Sequence, residues 1–144
     1  MLKPLGILVM MLLLCVFPAA AQESQTPPKA ATPESFSIPA EAVHKINPAK
    51  PTVESIAQGE KYYRYDCGMC HGNNGDGKGE VAIYEKLTIG DFSDKETCKD
   101  KTDGELFYVI KNGHGQMPPE RIRSGPNELW NLVGYVRSLA NKKG

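Results

Sequence analysis

Five consecutive residues, Cys67-Gly68-Met69-Cys70-His71, bring two thiols and an imidazole to a spacing that can do chemistry. Two cysteines separated by two residues have several uses. A redox pair of the thioredoxin type wants a strand–helix–strand setting, and no alternating apolar run marks a strand in this chain. Half of a zinc site needs a second Cys/His pair at ligand spacing, whereas Cys98 and His114 are isolated. A disulfide between residues three apart would be strained and would staple nothing. The use that remains is covalent attachment of a c-type haem. Thiols at the end of a helix, Cys67 and Cys70, reach the two vinyl groups of one haem, and His71 directly after them supplies the fifth ligand to the iron.

The apolar pattern supplies helices to position these residues. Ile56, Gly59, Tyr63 and Cys67 fall at i, i+3, i+7 and i+11, one stripe of a helix running into the cysteines. Thr102 and Glu105 form a capping box ahead of Leu106, Val109 and Ile110, and Lys111-Asn112-Gly113 is a C-terminal stop. Pro126 opens a last helix with Leu129, Leu132, Val133, Val136 and Leu139 or Ala140 along one side. A weaker helical pattern covers Gly79 to Leu87. The expected fold class is therefore all-α, a domain of about 90 residues with glycine-rich loops, small enough to need a staple or a cofactor.

At 144 residues, with 17 Lys+Arg against 17 Asp+Glu, the chain holds one ordinary domain and lacks the basic excess of a nucleic-acid binder. Its first residues read as a secretory signal. Lys3 is followed by an uncharged apolar run from Leu5 to Phe17 and by Ala19-Ala20-Ala21, with cleavage expected after Ala21. An uncleaved anchor would have to cross the bilayer with fewer than the ~20 residues that needs. Residues 22–39 are a Pro-rich segment expected to be flexible, because it cannot bury enough surface to offset its ordering entropy. Within Ala40 to Pro51, Val43, Ile46 and Asn47-Pro48 are expected to lie against the domain. The division is thus 1–21 signal peptide, 22–39 flexible segment and 40–144 domain.

Four features, taken in this order, make the chain similar to the monohaem class I cytochrome c family over about residues 40–144. They are Gly59 with Tyr63 and Cys67 at four-residue steps; Cys67 to His71 continued by Gly72, Gly75, Gly77 and Gly79; Gly113-His114-Gly115-Gln116-Met117-Pro118; and Trp130 to Leu139, with Tyr135 inside it. The resemblance implies three to five helices around one covalently bound haem c, with the first and last helices crossing through Gly59 and Tyr63 against Leu132 and Tyr135. It also implies one-electron transport between redox partner proteins. One departure stands out. Relatives place a proline after the glycine-rich loop, whose carbonyl accepts the proximal histidine N–H; here the comparable place is Gly79-Glu80, and no proline occurs between His71 and Met117.

The sixth iron ligand decides between carrier and enzyme. Once the signal is removed, Met69 and Met117 are the remaining methionines. Met69 sits inside the attachment motif and cannot swing across the ring. Met117 follows a helix and precedes Pro118, which biases it to an extended, projecting conformation. Met117 is therefore the expected ligand, with His114 and His44 as rivals that would give a lower potential and that are otherwise expected to face solvent. Cys98 is expected in an exposed charged loop, and Lys78, Lys86 and Lys111 beside the haem edge. No acid–base constellation accompanies the motif. The expectation is an exported, periplasmic, monomeric electron carrier rather than an enzyme, touching a membrane only through an uncleaved signal or a complex. A haem subunit of a larger dehydrogenase or reductase complex is the alternative, and a ligand-binding haem enzyme or sensor with a displaceable Met117 is a further one.

Overall fold

The computed structural model describes residues 36–120 and 125–141. The expected signal peptide, and the Pro-rich segment as far as residue 35, lie outside the described residues. Helix α1 is Ala40–Val43 and α2 is Val53–Tyr62; a π-helical turn, Tyr63–Cys67, carries α2 without a break into α3, Gly68–His71. Then come α4, Glu80–Tyr84, α5, Asp103–Asn112, and α6, Pro126–Leu139. Taken as unbroken bodies these are five helices. Among the described residues there is no strand, only an isolated bridge between His114 and Met117. The all-α architecture expected from sequence is the architecture of the described residues.

Local chemistry sets the helix ends. The hydroxyl of Thr102 accepts from the Glu105 N–H at 3.1 Å, and the Glu105 carboxylate accepts from the Thr102 N–H at 2.6 Å, closing the expected capping box. A second box, between Thr52 and Ser55, opens α2. Gly113 ends α5 at φ 77°, and Pro126 stands in the first turn of α6.

The core lies where α2 meets α6. A Cβ on Gly59 would run into the Asn131 carbonyl and come within 2.8 Å of the Tyr135 Cβ, so two backbones approach here as only glycine allows. One turn on, Tyr63 is buried with its ring 5.1 Å from that of Tyr135. Leu129, Leu132, Val133, Val136 and Leu139 are all buried, as the apolar stripe predicts, and Trp130 stacks on Phe107 at 4.1 Å. Helix α1 packs on α5, with the Thr102 hydroxyl donating to the Val43 carbonyl at 2.9 Å. Asn47 Nδ2 donates to the Trp130 carbonyl at 3.1 Å. Ile46 departs from expectation: it is 87% exposed, because Asn47 rather than the apolar side chain makes the contact with α6.

Two glycines in this interface separate close approach from mere composition. Gly59→Ala is expected to cost about 1–3 kcal/mol, the usual overpacking penalty, because the obstruction is backbone and cannot rotate away. At Gly134 a Cβ would meet Ile56 Cδ1 at an ordinary 3.5 Å, so Gly134→Ala is expected to be neutral or to stabilise by up to about 1 kcal/mol. Thermal unfolding of the two variants beside the parent checks both.

Candidate cofactor site

The helix that begins at Thr52 delivers Cys67, Cys70 and His71. The π turn at Tyr63–Cys67 adds a residue to one turn of that helix, so the motif is re-aimed relative to a plain α-helical stripe. Sequence periodicity alone did not reveal it. Past His71 the chain folds back on the helix end. Gly77 N–H donates to the His71 carbonyl at 2.8 Å, and Gly79 N–H to the Cys70 carbonyl at 3.1 Å. Gly79 passes so close to the Met69 carbonyl that a side chain would collide with it. The buried Tyr63 hydroxyl donates to the Gly72 carbonyl at 3.0 Å and pins the start of this loop.

A cavity of about 740 Å³ opens beside the motif, within the roughly 300–1,000 Å³ typical of small-molecule and cofactor sites. Cys67, His71 and Met117 all line it, although Met117 lies on the far side of α5 in sequence. Leu106, Val109, Ile110, Leu132 and Val136 supply its apolar wall. Cys70, half-buried on α3, is not part of the lining, nor is Met69, which is 54% exposed. Met117 is held by a short turn: His114 N–H donates to the Met117 carbonyl at 3.0 Å, and Met117 N–H to the His114 carbonyl at 2.9 Å.

The electrostatics favour neutral groups. Burial pushes the Cys67 thiol up to about 12, with Glu120 and Asp66 adding to the effect, so the sulfur stays protonated and is a poor thiolate ligand. Among the described residues no three His, Cys, Asp or Glu are grouped to hold a metal ion. Burial also lowers the His71 pKa, keeping the imidazole neutral with a lone pair to give. Its ring stacks on Phe92 at 4.8 Å, and buried Nδ1 has no hydrogen-bond partner among the described residues. The carbonyl that a proline would supply is thus not replaced by another.

Two placements differ from expectation, that of Cys98 and that of the lysines. Cys98 is half-buried and lines the cavity instead of standing in an exposed loop. The cause is Arg137 of α6, whose guanidinium donates to the Cys98 carbonyl at 2.6 Å and to the Lys101 carbonyl, and pairs with Asp103 at 3.0 Å. Asp94, Glu96 and Lys99 point outward while the thiol is drawn in. The lysine on the cavity is Lys101, and Lys78, Lys86 and Lys111 are not in its lining. His44 and His114 are both exposed, as expected, and of the two only His114 is in the cavity lining. Arg137 carries no local sequence signal, since it reads as an ordinary charged residue beside an apolar stripe.

Residues 54–136, more than half of the chain, match the family described as cytochrome c oxidase, cbb3-type, subunit III. Two solved structures are similar. A chain of the Kuenenia stuttgartiensis reducing HAO-like protein complex Kustc0457/Kustc0458 is 26% identical at a TM-score of 0.53, over 64% of this chain and 46% of its own length. The KustC0563 c-type cytochrome is 29% identical at a TM-score of 0.50, over 56% of this chain and 95% of its own. This chain therefore spans less than half of the complex subunit it matches.

Replacing Arg137 tests the clamp on the cavity wall. Arg137→Met should cost about 1–3 kcal/mol by leaving carbonyls and Asp103 without their donor. It should also speed alkylation of Cys98 by iodoacetamide. In the parent, burial raises the Cys98 pKa above the ordinary 9.0, so its labelling rate should still be climbing steeply beyond that pH. A parent thiol that labels at the rate of an exposed cysteine would contradict the placement.

Proposed function

We propose that this chain, which belongs to the cbb3-type subunit III family of cytochrome c domains, is an exported one-electron carrier with His71 and Met117 as axial ligands. The family fixes the coarser statement: the chain is a haem electron-transfer protein, its cofactor is covalently bound haem c with iron, and redox proteins are its partners. The observation that carries the finer reading is the convergence of Cys67, His71 and Met117 on one largely apolar cavity.

The residues fit the group. The cavity has the volume of a cofactor site, Cys67, His71 and Met117 all line it, and burial keeps the His71 imidazole neutral. Cys67 and Cys70 would tether the haem through thioethers, so that it stays bound whatever its charge. Bound, the haem supplies an iron that gains and loses one electron. His71, kept neutral by burial and braced by Phe92, holds its lone pair for the iron without first losing a proton. Met117 brings a soft thioether, which favours the ferrous state and raises the potential relative to two histidines. The apolar side chains that α5 and α6 contribute to the wall lower the polarity around the group, which limits reorganisation as charge changes. Export to the periplasm follows from the reading of residues 1–21 as a signal peptide, with 22–39 as a flexible segment and 40–144 as the cytochrome c domain; among the described residues no helix is long and apolar enough to cross a membrane.

A second reading, a haem subunit of a larger redox assembly, is favoured by the similarity to a chain of a multi-protein complex. The chemistry is the same, and the two differ in whether the chain leaves the cell envelope fraction alone or with a larger protein.

Visible spectra of the exported protein, oxidised and reduced, with and without carbon monoxide, test the ligand set. The parent should be low-spin and indifferent to carbon monoxide. His71→Ala should lose ordered ligation. Met117→Ala should bind carbon monoxide readily and show a lower potential; if it changed neither, His114, which lines the same cavity, would take the place of Met117. Rapid carbon monoxide binding by the parent itself would move the assignment to a ligand-binding haem protein.

A further inference from the structure

Phe36, Ser37 and Ile38 line the cavity, together with His114 and Met117. Composition assigns these three residues to a flexible spacer, yet their downstream end is anchored. Pro39 leads directly into α1, which packs on α5 and has its Val43 carbonyl held by the Thr102 hydroxyl. From that anchor the Phe36 ring reaches the turn that presents Met117. Its centroid lies 4.1 Å from that of His114 and 6.1 Å from that of Tyr108 on α5.

The turn is closed from within by the paired hydrogen bonds between His114 and Met117. Its outer side is bare. Gly115, Gln116 and Pro118 are exposed, and a Cβ on Gly115 would touch nothing within 4 Å. A four-residue turn with an open tip is the kind of element that opens locally at low cost. Phe36 remains 42% exposed, so its position is not explained by burial in the core; it is spent on the His114 ring.

We propose that Phe36 is a positioning residue for Met117: seated on His114, it holds the 114–117 turn closed over the cavity and slows the opening that would let an external ligand displace Met117. The proposal rests on Met117 being the sixth ligand. Physically, an incoming ligand binds only the open form, so its rate and apparent affinity scale with the open fraction. Removing an aromatic contact that favours the closed form raises that fraction.

The test uses the haem-loaded protein, imidazole as the external ligand, and three variants: Phe36→Ala, Phe36→Tyr and Met117→Ala. Imidazole binding is followed by the visible spectrum and opening of the turn by amide hydrogen exchange at Met117. Phe36→Ala should speed both by about tenfold, the scale of one lost aromatic pair, with overall helicity unchanged. Phe36→Tyr should restore both to near the parent rates. If Phe36→Ala matches the parent in both while Met117→Ala binds imidazole freely, the positioning role is overturned and the ligand assignment stands. Faster imidazole binding without faster exchange at Met117 also overturns it, because Phe36 would then only plug the cavity mouth. If Met117→Ala leaves imidazole binding unchanged, the ligand assignment itself fails, and the role of Phe36 falls with it.

Discussion

The backbone-to-backbone approach of α2 and α6 at Gly59 is the constraint on which the rest depends. With no side chain at that point, the Asn131 carbonyl lies where a Cβ would be, and Tyr63 and Tyr135 fill the space one turn further on. This contact fixes the direction of the helix that ends in Cys67, Cys70 and His71. It also turns the apolar face of α6 toward the cavity, so that Leu132 and Val136 belong to both core and site. Displacing the crossing by a fraction of a turn would misplace the motif and the cavity wall together.

The site combines a rigid local unit with parts brought from a distance. The unit runs from the π turn to the glycine-rich loop, whose amides return to the carbonyls of Cys70 and His71. The distant parts are the Met117 turn after α5 and the loop that Arg137 draws inward, which carries Cys98 and Lys101 to the cavity. A domain this small buries little apolar surface for its length, and a cavity of this size within it makes a bound cofactor part of the core. Tethering by two cysteines suits such a fold, since a non-covalent group that left would take the core with it.

Legibility of the sequence followed the range of the interactions. The capping box at Thr102, the stop at Gly113, Pro126 at the head of α6 and the stripe Leu129 to Leu139 all rest on residues within a few positions of one another, and all appear as read. The motif at Cys67 to His71 is equally local. Expectation and structure part where the character of neighbouring residues stands in for long-range contact. The run around Cys98 looks solvated because its neighbours are charged, yet Arg137, 39 positions away, turns its thiol inward. Ile46 looks like a core residue because it is apolar, but the polar Asn47 beside it makes the docking contact. Phe36 sits in a proline-rich composition that reads as spacer, and a ring contact with His114 places it in the cavity lining.

By itself, the sequence determined the chemistry available: two thiols and an imidazole at attachment spacing, a methionine primed by the proline after it, and helices with defined starts and stops. These are properties of neighbouring residues, where bond geometry and backbone hydrogen bonding leave few alternatives. Only the tertiary structure decided which of these groups share a cavity, that a π turn re-aims the motif, and that Cys98, Lys101 and Phe36 stand at the site while Lys78, Lys86 and Lys111 do not. Those outcomes depend on packing between segments far apart in the chain, and on single long-range donors such as Arg137, whose partners no local pattern names.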